Sequence, residues 1–283
     1  MAKVKIGEVW DRTTEFVGDS LPLLLPIALV SLLIPTSLMG SLADLQVSGS
    51  ALVRAALGLL QIAFALLSLW GQLAIAALAI DPPLGSRVRS VALARLPAAI
   101  GVYLIPFILV ALIFGVQWVT LMIYGGFDVA QISAGEMDVR QINLPPGVGQ
   151  TVAVLFLVEL AVVLFVLARL LPLTGVIVAE RRGLGAYARA FRLTRGMTWK
   201  LLGVILLYAV VAWVSSLAAT TVFGSILRLV APGEGSVTVA GVLTAIAAAA
   251  VQAVFTVLAA AFCAKLYVAL VRATEPNPTR DIV

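Results

Sequence analysis

The chain has 283 residues, of which 62% are hydrophobic and only 12% charged, about half the charged share of an ordinary soluble domain. With a mean hydropathy of +1.11 spread over several separate apolar runs, this composition excludes a soluble globular fold, and equally a soluble domain on a single anchor. The net charge of +5 does not point to nucleic acid, because the cations lie beside apolar segments where topology and lipid contact account for them; no histidine and a single cysteine, Cys263, leave neither an intramolecular disulfide nor a Cys/His zinc cluster.

Residues 1–19 place Ile6, Val9, Trp10, Thr13 and Val17 at helical spacing, with Lys5, Glu8, Asp11 and Arg12 on other faces; this predicts an amphipathic helix lying on the membrane surface. A signal peptide would carry a shorter charged region, so the apolar run that follows is read as a first span, 21–39, kinked by Pro26 and Pro35. The second span, 51–80, is longer than a hydrocarbon thickness of about 30 Å requires, and it stops at Asp81-Pro82-Pro83. A basic connector, 84–95, leads to a third span at 97–124. The loop after it carries Asp128, Glu136 and Asp138, three acids read as solvated rather than as cation ligands. The fourth span, 151–178, contains Glu159, Arg169 and Pro172, and a second basic connector joins it to the fifth, 199–222. The sixth span, 237–271, repeats Gly241, Ala245, Ala249 and Ala253 every four residues, a ribbon for close helix approach. Residues 273–283 read as a short tail.

The fold class is therefore all-α: a polytopic membrane protein of six transmembrane helices with amphipathic surface helices, forming one domain over 1–272. Lys3, Lys5, Arg12, Arg87, Arg89, Arg95, the Arg181 to Lys200 group, Arg272 and Arg280 fall on one side, against Arg54, Arg140 and Arg228 on the other. The positive-inside rule then places both termini in the cytoplasm.

Laying each residue over the one a hundred positions later aligns the connectors without a gap: Leu84, Gly85, Arg89, Leu93 and Arg95 fall on Leu184, Gly185, Arg189, Leu193 and Arg195. The alignment predicts a repeated unit of span, surface helix and return span, and a pseudo-threefold arrangement of three such hairpins once the N-terminal helix is grouped with spans one and six.

Three stretches carry a family resemblance. Glu180 closes span four ahead of AFRLTRGMTWKLLG (190–203); VWDRTTEFVGDSLPLLLP (9–26) leads into span one; and AKLYVALVRA (264–273) leaves span six. Together they resemble the membrane domain found beside some bacterial glycerophosphoryl diester phosphodiesterases, and a related group of six-helix inner-membrane proteins. The resemblance implies a bacterial inner membrane and no catalysis of its own, since the phosphodiesterase site belongs to a separate soluble barrel that uses histidines.

Ionisable residues inside a span are functional candidates by default. Glu159 and Arg169 lie about 15 Å apart in depth on one helix, too far to pair. Gln61, Gln117 and Gln252 stand near the depth of Glu159, and Gln72 and Lys265 near that of Arg169, so the two sets would line a polar cavity if their helices share an interior. Arg169 would there hold an anionic headgroup; the competing reading has Arg169 snorkelling and Glu159 acting as interhelical glue. On the second connector Arg181, Arg182, Arg189, Arg192, Arg195 and Lys200 form a basic patch for anionic phospholipid, with Arg189, Arg192 and Arg195 on one face and Leu184, Tyr187 and Phe191 on another. No nucleophile with a base, phosphate loop or metal motif stands in the sequence, so no cofactor or metal is expected. The expected function is non-enzymatic lipid binding or support of an envelope partner; a carrier working through Glu159 and Arg169 is the alternative, and an intramembrane enzyme comes last.

Overall fold

A computed structural model describes residues 4–125, 147–230 and 238–274, and every regular element among them is helical. An N-terminal helix, Ile6–Asp19, precedes a first span over Leu21–Ser41. The short helix Ala43–Ser48 leads to the second span, Ala51–Ile80, and the third is one long helix, Val88–Gly125. Val148–Leu170 and Leu173–Glu180 make the fourth, a connector helix Gly185–Leu193 follows, and Thr198–Leu217 opens the fifth, which continues to Val230. The sixth is Val239–Thr274. The described residues thus hold six helices long and apolar enough to cross a bilayer, with mean hydropathy of 2.0 to 2.8, and the protein is an all-α, multi-pass integral membrane protein. The acidic loop with Asp128, Glu136 and Asp138, and the tail beyond Thr274, lie outside the described residues.

Prolines shape the spans by freeing backbone carbonyls, and neighbouring helices recapture two of them. Pro35 has no N–H for the carbonyl four residues back, Ser31, and the first span loosens into a π-helical stretch, Leu29–Leu33. The Ser68 hydroxyl of the second span donates to that carbonyl at 2.8 Å. The two helices can come this close because residue 71 is glycine: a Cβ there would overlap Ser31 Oγ and lie 2.5 Å from Ser31 Cβ. Pro106 likewise frees the carbonyl of Val102, which accepts the Tyr187 hydroxyl from the connector helix. In hydrocarbon an unsatisfied carbonyl has no water to turn to, so these crossings are fixed in position as well as in distance.

The sixth span is the pillar of the bundle. Its alanine ribbon is used as the spacing predicts from Ala245 onward: Gly40 of the first span meets Ala245, with an added Cβ falling 3.2 Å from the alanine methyl, and Ala249 and Ala253 are buried. Gly241 is exposed, and its N–H is capped by Thr238 Oγ1. Lower down, Tyr267 lies against Gly175 of the fourth span, where a Cβ would fall 2.5 Å from the tyrosine Cβ and Cγ. The N-terminal helix is amphipathic as the spacing predicts, and its apolar face docks here. Val9, Thr13 and Phe16 are turned into the protein, the Trp10 and Phe262 ring centroids are 6.1 Å apart, and the Lys265 ammonium sits 4.7 Å above the Phe16 ring.

Buried side chains concentrate at one end, where Leu73–Ala79, Ala92, Ala99, Val176, Ala186, Leu201 and Leu266 meet. This is the end that carries the connectors, called here the basic end. Toward the far end the second to fifth spans present exposed large apolar residues, among them Leu59, Phe107, Leu157 and Trp213.

The two connector copies are not built alike. The second ends as a separate helix because Gly196 takes a left-handed φ of +83°, a conformation that suits glycine at a helix C-terminus. The aligned residue of the first copy is Leu96; the helix runs on through it and through Pro97 into the third span. Leu93 is accordingly 62% exposed where Leu193 is 4%. A free surface helix in the first copy is thus corrected, and the repeat extends to chain order and not to local packing.

Candidate functional site

Glu180 ends the fourth span with a carboxylate at the negative end of a helix dipole, a position that calls for cations. Arg181 turns the chain there with φ +53°, which brings the connector helix back beside the span it has just left. Arg189 Nε then donates to Glu180 Oε1 at 2.8 Å and Arg182 Nε to Oε2 at 2.9 Å; Tyr267 of the sixth span donates to Oε1 at 3.1 Å. Glu180 and Arg189 side chains are only 15% and 14% exposed, so this is a desolvated, hydrogen-bonded node joining three elements.

The second fastening of the connector is Arg169. Its guanidinium does not face a cavity: Nη1 donates to the carbonyl of Phe191 at 3.1 Å, and the group lies 5.7 Å and 5.6 Å from the Phe165 and Phe191 rings. Phe191 is in the last turn of the connector helix, where carbonyls lack intrahelical donors and a cation meets the negative end of the dipole. Thr194 Oγ1 returns a bond to the Arg169 carbonyl at 3.3 Å. Tyr187 is the third fastening, to Val102, and burial pushes its phenol pKa up.

These bonds orient the connector differently from the helical-face reading of the sequence. Arg189 points inward, along with Ala186, Ala190 and Leu193, because the small residues let the helix approach the fourth span. Leu184 and Phe191 are exposed, as are Arg192, Arg195 and Lys200, and Trp199 is 83% exposed at the start of the fifth span. Arg181 is exposed too, and Arg182 is half exposed beside Glu180.

The remaining predicted residues do not converge. Gln117 is buried, but it bonds the Val152 carbonyl at 2.8 Å and so stitches the third span to the fourth. Gln61 and Gln252 are exposed on the second and sixth spans, and Gln72 is half buried beside Gly71. Lys265 belongs to Phe16 and not to Arg169. Gln61 and Gln252 are turned outward, so these groups do not gather in a shared interior. Glu159 is half buried, with Oε2 enclosed and no hydrogen-bond partner. A carboxyl in that setting costs stability, and Glu159→Leu is expected to stabilise by about 1 kcal/mol. Unfolding in detergent by sodium dodecyl sulfate titration measures it, and a destabilised variant would contradict the placement.

A cavity of about 850 Å³ opens between the third to sixth spans, closed at one side by Ile6, Gly7 and Trp10 of the N-terminal helix. Its wall is apolar, with Leu170, Val204, Phe255 and Phe262 among its residues, and two of its polar groups are occupied: Tyr103 shares a hydrogen bond of 2.6 Å with Thr174, and Tyr208 donates to the Phe255 carbonyl. Neither Glu159 nor Arg169 lines it. Sequence reasoning missed this cavity, whose walls come from five separated stretches, and it noted Glu180 only as a family marker, although a lone acid among six cations is a signal of internal pairing. No family model, curated protein or solved structure matches the chain.

Proposed function

We propose that this is a non-enzymatic protein of a bacterial cytoplasmic membrane that binds anionic phospholipid through its second connector. The observation that carries the reading is how the connector divides its cations. Arg169, Arg182 and Arg189 have partners within the protein, whereas Arg192, Arg195 and Lys200 stand exposed beside Leu184, Phe191 and Trp199. Basic groups interleaved with apolar and aromatic side chains suit the boundary between headgroups and acyl chains. The resemblance of residues 179–207 to a phosphodiesterase-associated membrane domain agrees with a role without catalysis. Each cation near anionic lipid contributes about 1 kcal/mol, so Arg192→Gln with Arg195→Gln is expected to lower retention of phosphatidylglycerol over phosphatidylethanolamine roughly thirtyfold. Native mass spectrometry reads the retained lipids, and unchanged selectivity refutes the headgroup reading. A carrier built on Glu159 and Arg169 lacks support, since the large cavity contains neither residue.

The excess of Lys and Arg at the basic end puts that end in the cytoplasm. In a Cys263→Ala background, Ser48→Cys should react with an impermeant maleimide on intact cells, and Ala188→Cys only after permeabilisation; both positions are exposed. The opposite pattern overturns the orientation.

A further inference from the structure

We propose that the cavity between the third to sixth spans holds one acyl chain of a phospholipid from the leaflet at the basic end, with the N-terminal helix as its cover. Its volume of about 850 Å³ falls in the range of about 300 to 1,000 Å³ typical of ligand sites. Its chemistry admits hydrocarbon and little else. The Tyr103 and Tyr208 hydroxyls are turned onto Thr174 and Phe255, so a polar solute entering it would lose its water without gaining these partners.

Place selects the occupant as much as chemistry does. The walls are membrane-spanning helices whose other faces are exposed apolar surface, Leu206 and Val210 among them, so a chain reaches the cavity from the bilayer without crossing water. A helix from a partner protein, about 10 Å across with its side chains, would fill this volume in about two turns, whereas an acyl chain can follow it along its length. The cover lies toward the basic end, and the rim there is cationic. Lys200 stands exposed one helical turn before the lining residue Val204, on the same stripe of the fifth span, and carries this rim's charge; Lys5, which immediately precedes Ile6, is exposed too but is paired with Glu8 at 3.0 Å. A phosphate held at that rim leaves its chain directed along Val204, Tyr208 and Phe255. Only this headgroup contact rests on the proposed lipid-binding function; the chain site itself does not.

The test is photolabelling of the full chain in vesicles of phosphatidylethanolamine and phosphatidylglycerol doped with a phosphatidylglycerol carrying a diazirine in mid-chain. Mass spectrometry is expected to find adducts on Tyr208, Ala259 and Cys263, and also on Leu157 and Val158, which face bulk lipid. Ala259→Trp fills the cavity and should cut the cavity adducts about tenfold, with those on Leu157 and Val158 unchanged. Val211→Trp, from the opposite wall, makes the same test should Ala259→Trp fail to fold. Absence of cavity adducts in the parent chain, or their persistence in a folded tryptophan variant, overturns the proposal. Arg192→Gln with Arg195→Gln separates the two readings: cavity adducts retained together with unchanged headgroup selectivity sink the connector reading alone, whereas lost selectivity in a chain that never labels the cavity sinks the acyl-chain site alone.

Discussion

Glu180→Ala is expected to cost about 3 kcal/mol, the scale seen when one member of a buried ion pair is removed. The loss has three parts. Arg189, 14% exposed, keeps its charge in a nearly closed site and loses its carboxylate. Tyr267 is buried and loses the acceptor of its hydroxyl, and Arg182 loses its anchor at the rim. Tyr187→Phe removes a single hydrogen bond from the same connector and should cost about 1 kcal/mol. Adding Arg189→Ala to Glu180→Ala should restore part of the loss, because the guanidinium that has lost its carboxylate is then removed from the nearly closed site. Sodium dodecyl sulfate titration followed by circular dichroism measures all three variants, and a Glu180→Ala midpoint equal to that of the parent chain would show that the node does not contribute to stability.

Gly71→Ala is expected to cost about 2 to 3 kcal/mol, near the upper end for overpacking. The new methyl would overlap the Ser31 side chain, and the helices cannot move apart without lengthening the 2.8 Å bond from Ser68 to the Ser31 carbonyl. The proline that exposes this carbonyl and the glycine that lets its donor approach act together. Ser31→Gly should therefore rescue Gly71→Ala, with a coupling of at least about 1 kcal/mol. Additive effects of the two substitutions would show that the spans relax apart at this crossing.

The spans were legible because length and hydropathy are local quantities. Ala51 and Ile80 are the ends that the polar link before the second span and the Asp-Pro-Pro after it announce, and the alanine ribbon needs only a period of four. The fate of the connectors was legible in principle: Gly196 in one copy against Leu96 in the other decides where a left-handed residue ends the helix. Five matching positions upstream of this pair drew attention away from the difference that decides it. Arg169 was legible as a buried cation and illegible in its target, since it seeks a main-chain carbonyl 22 residues further on, and every residue type has one. The glutamines failed for a geometrical reason. Whether Gln61 or Gln252 looks into the protein or outward depends on how each span is rotated against its neighbours, and no single helix encodes that.

The docking of the first helix on the last span also bears on how the chain is made. Phe16 and Trp10 leave the ribosome five spans ahead of Lys265 and Phe262, which receive them. Through most of synthesis the first helix has no partner, and its buried face, Val9, Thr13 and Phe16, has only the membrane boundary on which to wait. Closure of the basic end is thus a late, long-range event, and a nascent chain stopped before the sixth span would keep its leading helix at the bilayer surface.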